Sequence, residues 1–297
     1  MHVFLTGATG YLGGAVATRL LAAGHRVTGL ARTAEAGHRL AGLGVEPVLG
    51  DLADHDVLRR AAADADAAVN AATAYSPDRG ELERAAVQVM LRALPRGGTF
   101  VYTSDQLIYG DTGPEPADED RPLDPPPFLS WRPQVEQDVL RADGLRGVVL
   151  RPVAVYGHAG NQLFPGWIAS ARRRGHAPYV GTGTRRWSLV HVDDVADGYL
   201  AALERAPAGA VLNLAAEPPV ALRELADAVA TAAGVAGGAV SAPLDEVTEV
   251  FGPAAQLLDT VDLVASPARA RTALGWTAVR PGVLEDLRTG SYRSAEA

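Results

Sequence analysis

Near its N-terminus the chain reads Thr6-Gly7-Ala8-Thr9-Gly10-Tyr11-Leu12-Gly13. This run joins an apolar stretch, residues 2–6, to a stretch of helical periodicity, residues 11–23, that stops at Gly24. A glycine triplet alone is a weak signal, but strand–turn–helix context gives each glycine a task. Gly7 makes the tight turn, Gly10 lets the backbone approach a pyrophosphate, and Gly13 lets the helix pack closely on the strand. The phosphates then meet the free N–H groups at the helix N-terminus. The expectation is a dinucleotide site built on Gly7, Thr9, Gly10, Tyr11 and Leu12. The alternative is a purely structural turn.

Outward from this turn the pattern repeats. Strands are expected at residues 2–6, 26–30, 45–49, 67–71, 99–103 and 147–150. Helices are expected at 11–23, at 55–63 with Asp54 as N-cap, and at 81–94 and 135–142. Alternating strands and helices predict an α/β fold, a doubly wound parallel sheet of Rossmann type covered on both faces. Beyond Arg151 the pattern weakens. Residues 157–165 read as loop, 193–205, 222–233 and 263–274 as helices, and 211–214 as a short strand. The Pro- and acid-rich stretch 111–127 reads as a surface loop. Residues 1–157 are therefore assigned to nucleotide binding, with 188–214 contributing. Residues 158–297 form a smaller α/β part that binds substrate.

Composition excludes several classes. Of 297 residues, 47% are hydrophobic and 21% charged, which is globular rather than disordered. Cysteine is absent, which removes disulfides, thiolate metal sites and Cys nucleophiles. The net charge of -8 argues against nucleic acid as a partner. No apolar run approaches the ~20 residues of a membrane span, and the N-terminus lacks a basic leader. A cytoplasmic location is expected, with no membrane partner. Lysine is absent too, so all 27 of the Lys-or-Arg residues are arginine. A lysine ammonium is therefore unavailable to catalysis.

The second strand ends Gly29-Leu30-Ala31-Arg32, with no acid to hold a ribose 2′-OH. An Arg there accommodates a 2′-phosphate, so NADPH is expected rather than NADH. The bland alternative is a solvated loop cation. His38 or Arg39 could assist.

Further segments carry a family resemblance: Asp51-Leu52, Asn70-Ala71-Ala72, Tyr102 to Gly110, Leu150-Arg151-Pro152-Val153-Ala154-Val155-Tyr156-Gly157, Val190 to Ala196 and Leu274-Gly275-Trp276. With the glycine turn they resemble the extended short-chain dehydrogenase/reductases, the group containing sugar-nucleotide epimerases and dehydratases. The resemblance implies cofactor contacts at Asp51, Leu52, Ala71, Ala72, Thr103, Arg132, Pro152 and Val155. It specifies fold, not reaction.

The family's catalytic Ser or Thr, Tyr and Lys are missing. Counting back from Tyr109-Gly110 puts the Ser position at Asp105. Counting back from Glu136 puts the Lys at Arg132 and the Tyr at Phe128. Phe128 carries no ionisable proton. Arg132 is a poor proton shuttle, though it can still bond a ribose. Asp105 is a proton donor only if burial raises its pKa; as an anion it accepts from substrate. Ser104 has no partner that marks it as a nucleophile.

The family's diphosphate-gripping Arg position falls on Trp187, preceded by Arg186. An aromatic face there suits a flat or apolar substrate. The alternatives are a core Trp and an Arg186 that still reaches phosphate. Tyr75, Asp105, Gln106, Phe128 and Trp187 are the candidate substrate residues, and Trp131, Phe164 and Trp167 fall near the expected cleft. His158, His176 and His191 lack metal-ligand spacing, so no metal is expected. Asp193-Asp194 reads as a helix cap and Arg172-Arg173-Arg174 as a solvated helix end.

These losses resemble atypical reductases that tailor aromatic polyketides in actinomycetes. The expectation is an NADPH-dependent ketoreductase acting on a polycyclic aromatic polyketide, with a substrate phenol able to supply the proton. The alternatives are a non-catalytic NADP(H) sensor and an ordinary sugar-nucleotide epimerase or dehydratase. Oligomeric state is not legible.

Overall fold

The computed structural model describes residues 1–74, 76–160, 163–252 and 255–293. The first half alternates β1 (His2–Thr6), α1 (Tyr11–Ala22), β2 (Arg26–Ala31), α2 (Ala34–Gly42), β3 (Glu46–Leu49), α3 (His55–Ala63), β4 (Ala67–Asn70), α4 (Arg79–Ala93), β5 (Thr99–Thr103), α5 (Arg132–Leu140) and β6 (Arg146–Pro152). Then come β7 (Ala154–Tyr156), α6 (Phe164–Arg174), β8 (Ala177–Val180), β9 (Arg186–Trp187), β10 (Leu189–His191), α7 (Val192–Arg205) and β11 (Ala210–Leu214). The chain finishes with β12 (Val220–Ala221), α8 (Leu222–Ala233), β13 (Ala239–Ala242), α9 (Leu244–Phe251), α10 (Ala255–Thr260), α11 (Ala268–Leu274) and α12 (Val283–Thr289).

Seven strands pair in parallel in the order β11-β6-β5-β4-β1-β2-β3. This is the doubly wound Rossmann-type sheet. Successive strand residues point to opposite faces. In β1, Val3 and Leu5 join the core under α1 and α7, whereas Phe4 joins the core under α3, α4 and α5. A third core, around Phe164, Trp167, Leu225 and Val229, holds the C-terminal helices together. Strand order reverses between β1 and β4, which opens a crevice at their carboxyl ends. Among the described residues, no helix is long and apolar enough to cross a membrane.

Several local expectations are corrected. Helix α2 is absent from the sequence reading because its buried stripe is only Ala36, Gly37 and Leu40. Its N-cap Thr33 accepts from the Ala36 N–H at 3.1 Å. Of the expected helix 263–274 only Ala268–Leu274 is helical. Pro267 lacks an N–H and blocks an earlier start, and Leu263 and Ala265 instead make bridges to Trp187 and Ala117. The 111–127 stretch is therefore not purely a surface loop: Ala117 and Glu119 are buried. Asp54 sits at the α3 N-cap but accepts from the Asp51 N–H, without capping. The α7 cap is His191, which accepts from the Asp193 N–H, while the Asp194 carboxylate accepts from the Val279 and Arg280 N–H groups. Arg174 is not merely solvated; it pairs with Glu246 and Glu249 and ties α6 to α9. Phe164 and Trp167 are fully buried core residues.

Candidate active site

A cleft of about 1120 Å³ opens where the glycine turn meets the ends of β1, β4, β5 and β6. Every expected cofactor contact lines it: Gly7, Thr9, Gly10, Tyr11, Leu12, Arg32, Asp51, Leu52, Ala71, Ala72, Thr103, Arg132, Pro152 and Val155. The glycines are sterically required. Gly7 has φ +77°, and a Cβ there would lie 2.6 Å from the Ala71 carbonyl group. A Cβ on Gly13 would lie 2.1 Å from the Gly7 oxygen. Gly10 is the N-cap of α1, and no side chain caps that helix, so its N-terminal N–H groups suit an anion. The Tyr11 hydroxyl donates to the Gly157 carbonyl at 2.9 Å and pins the turn to the opposite side of the site. These features fit a dinucleotide.

Arg32 is exposed at the rim of the cleft. Arg39, by contrast, is engaged with Glu35 at 2.7 Å. Asp51 accepts from the Ala53 N–H at 2.7 Å, which orders the turn that presents Leu52 to the cleft.

The positions counted as equivalent to the triad separate. Asp105 and Arg132 line the cleft, whereas Phe128 is 40% exposed and is not among the lining residues. Phe128 belongs to a 3-10 turn, Pro127–Leu129, ahead of α5, and its carbonyl accepts from Arg79 at 2.7 Å. It is thereby corrected as a substrate candidate. Tyr75 lies outside the described residues. Gln106 and Trp187 line the cleft beside Asp105 and Leu263, so Trp187 is a wall of the site as well as core. Trp131 lies under the Arg132 guanidinium, 5.0 Å from ring centroid to Cζ.

Beneath Asp105 is a buried polar cluster. Arg132 is 8% exposed, donates to the Thr103 carbonyl at 3.0 Å, and has no partner for Nε among the described residues. Glu83, from α4, is fully buried, and one of its oxygens accepts from the Tyr102 hydroxyl at 2.7 Å. The other, Oε2, has no hydrogen-bond partner there. Burial pushes the Glu83 carboxyl up, against the opposing pull of Arg132, Tyr102, Thr73 and Arg79. Burial likewise pushes Asp105 up, against Arg132 and the Leu107 N–H that bonds it at 2.8 Å. Burial disfavours charge on Arg132, but Tyr102, Glu83, Asp105 and Glu136 outweigh it and hold the guanidinium protonated. Ser104 Oγ, Gln106 Oε1 and Trp187 Nε1 also lack partners among the described residues.

Glu83 and Tyr102 escaped the sequence reading. The signal was present: Glu83 shares helical spacing with Ala86, Val87 and Met90, the buried stripe of α4. The apolar lining from Val250, Phe251, Leu257 and Leu258 was also missed, because α9 and α10 were not foreseen. The fold brings His158, His191 and Asp193 within 4.8 Å of one another, which sequence spacing did not show. His158 pairs with Asp193 at 2.9 Å, Arg280 approaches the same carboxylate at 3.8 Å, and His191 Nδ1 is the α7 cap.

Residues 3–215 match the family described as the NAD dependent epimerase/dehydratase family. The chain belongs to this family. A 4-hydroxy-2-methyl-3-oxo-4-farnesyl-3,4-dihydroquinoline-1-oxide ketoreductase of Stigmatella aurantiaca is 34% identical over 75% of this chain and 70% of that protein. A 2-alkyl-3-oxoalkanoate reductase of Stenotrophomonas maltophilia is 29% identical over 79% of this chain and 76% of its own. A solved structure from Burkholderia cenocepacia J2315 is 27% identical with a TM-score of 0.81, covering 99% of this chain and 98% of that one. Reductases thus stand among the chain's relatives.

Proposed function

We propose that the protein is an NADPH-dependent ketoreductase that reduces a carbonyl of a polycyclic aromatic polyketide, angucyclinone-like, in antibiotic biosynthesis. One observation carries this reading. Among the described residues, all those lining the cleft beyond Pro152 are apolar, from Val153 through Trp187 and Phe251 to Leu263. A sugar diphosphate calls for a cationic fork. Arg186 instead donates to the Pro114 carbonyl at 2.7 Å, and Arg185 is held by Asp259 and Asp262. Flat apolar rings fit such a wall. The Stigmatella relative, by name a ketoreductase of a 3-oxo-dihydroquinoline, supports a ring ketone. The departures at 105, 128 and 132 are the basis of a finer resemblance, to the angucyclinone ketoreductase of simocyclinone biosynthesis.

When bound, NADPH supplies the hydride. The N–H groups at the start of α1 would hold the pyrophosphate and Arg32 a 2′-phosphate. Leu52, Pro152, Val155 and Arg132, the last anchored on the Thr103 carbonyl, would line the rest of the cofactor's bed. Phe128 supplies no proton, so a substrate phenol or the chain's own Asp105 must.

The test uses NADPH deuterated at the transferring position with a panel of polycyclic aromatic ketones, some phenolic and some not. Deuterium on carbon in a product, absent without protein, is the expected result. Tight NADPH binding without transfer to any member would favour the sensor. The cofactor assignment has its own check: R32A should weaken NADPH binding by about 10–100-fold, the size of one hydrogen bond to a charged group. NADH binding should hardly change; equal losses for both cofactors would remove Arg32 from the 2′-phosphate.

A further inference from the structure

Strands β7 and β10 pair in parallel with Tyr156 opposite His191. Their carboxyl ends emerge side by side, so the loop after β7 meets the start of α7. Three side chains converge there. His158 Nε2 lies 2.9 and 3.0 Å from the two Asp193 carboxylate oxygens. His191 Nδ1 lies 3.7 Å from Asp193 Oδ2. The His158 and His191 rings meet edge to face with centroids 5.3 Å apart. The ligand atoms of all three residues fall within 4.8 Å of one another. Ligands of a tetrahedral zinc stand about 3.3 Å apart, and the 2.9 and 3.7 Å separations bracket that spacing.

The backbone is bent to make this contact. His158 and Ala159 have φ +52° and +51°, the left-handed region that residues other than glycine rarely enter. Neighbours hold them there. The Tyr292 hydroxyl accepts from the Gly157 N–H and donates to the Gly160 carbonyl, each at 2.9 Å, and Ser291 Oγ accepts from the Ala159 N–H at 2.9 Å. A Cβ on Gly157 would lie 2.4 Å from His191 Nε2, so only glycine lets the loop pass against that imidazole. Strain upheld by its surroundings gathers where residues are held for a purpose. His191 is buried and His158 exposed, which gives a metal a fixed ligand inside and access from solvent.

We propose that His158, His191 and Asp193 form a zinc site whose fourth position is left to water. Two imidazoles and one carboxylate, in a chain without thiolates, are a donor set that zinc accepts. His191 Nδ1 accepts from the Asp193 N–H at 3.2 Å, so that nitrogen carries a lone pair rather than a proton. Zinc takes that lone pair and leaves the N–H to water, since the first N–H groups of a helix have no partner within it. Arg280 opposes the metal, with Nε 3.8 Å from Asp193 Oδ2. It has a second partner, Asp197, at 3.5 Å, and can withdraw to it. The bound ion ties the loop after β7 to α7. The Gly157 carbonyl in that loop accepts from the Tyr11 hydroxyl at 2.9 Å, so the tie reaches the first residue of α1. This inference stands apart from the ketoreductase reading, because it uses neither substrate nor cofactor.

The test uses the full chain and zinc chloride alone. Isothermal titration calorimetry should show saturable uptake of one zinc per chain. H158N removes the exposed ligand and leaves the core intact, and Asn tolerates the left-handed backbone at that position. It should weaken uptake by at least the ~10–100-fold that losing a hydrogen-bond partner of a metal ligand costs, and D193N should do the same. R280Q, which removes the opposing cation, should tighten uptake severalfold. Hydrogen exchange supplies a readout that a stray surface ion would not move. Zinc should slow exchange of the amides at 157–160 and in the first turn of α7 in the wild type, and not in H158N. Absence of saturable uptake below millimolar zinc overturns the proposal and leaves His158 and Asp193 as an ion pair only. Uptake unchanged by H158N puts the metal on other histidines and overturns it as well. Weaker uptake by R280Q overturns the placement of the ion beside Asp193.

Discussion

Two buried polar clusters sit about the end of the same sheet, and they are built on different terms. In one, Arg151 of β6 grips Glu136 with two bonds of 2.6 and 3.0 Å, both residues under 5% exposed. Arg151 also donates to the Tyr109 hydroxyl at 2.7 Å, which donates to Asn213 at 2.8 Å, whose N–H bonds Glu119 at 2.7 Å. Each member is partnered. In the other cluster, Glu83, Arg132, Ser104 and Gln106 each keep a buried polar atom without a partner among the described residues. Buried polar groups are otherwise nearly always satisfied. The first cluster fastens β6, α5 and β11 together. The second borders the cleft and has bonding capacity to spare for ligands, at some expense in stability.

The contrast can be broken most directly at the arginines. R151M leaves Glu136 buried and unpaired and should cost about 3–5 kcal/mol, read by chemical denaturation. The double variant R151M/E136Q should recover part of that loss, since no bare charge remains. R132M should cost less, about 1–3 kcal/mol, because Glu83 and Asp105 can take up protons, while NADPH affinity falls in fluorescence titration. Equal losses for R151M and R132M would erase the distinction between the clusters. The smallest effect sharpens it. An Asp whose pKa is raised in the folded state contributes stability that is fully present below its unfolded value of ~3.9 and lost as pH rises through the folded midpoint. D105N should therefore flatten part of the decline in stability above pH ~4, by about 1.4 kcal/mol for each tenfold by which folding raises the proton affinity of Asp105. An unchanged slope would place Asp105 among ordinary exposed carboxylates.

Local rules carried the first half of the chain. The glycine turn is legible because φ +77° at Gly7 and the close approach of Gly13 are demands on single residues. The residues expected to meet cofactor all reached the cleft because each follows a strand end, and strand ends show as breaks in apolar runs. Counting failed at Phe128 for a geometric reason. Four residues before Arg132 share its helix face only if the helix extends that far, and α5 begins at Arg132 itself. The C-terminal part was harder to read: its short strands and helices bury one another rather than a long periodic stripe.

From the string of residues alone come the sheet, the glycine cradle and one chemical fact, the absence of any lysine. Those follow from backbone sterics, periodicity and atom inventory, all of which act over a few residues. The make-up of the buried cluster beside the cleft does not. Glu83 meets the Tyr102 hydroxyl 19 positions away, and Arg132, on a third element, donates to the carbonyl of Thr103 beside it. Burial and charge pairing sum over everything nearby in space, so the folded chain had to bring α4, β5 and α5 together before that cluster acquired its character.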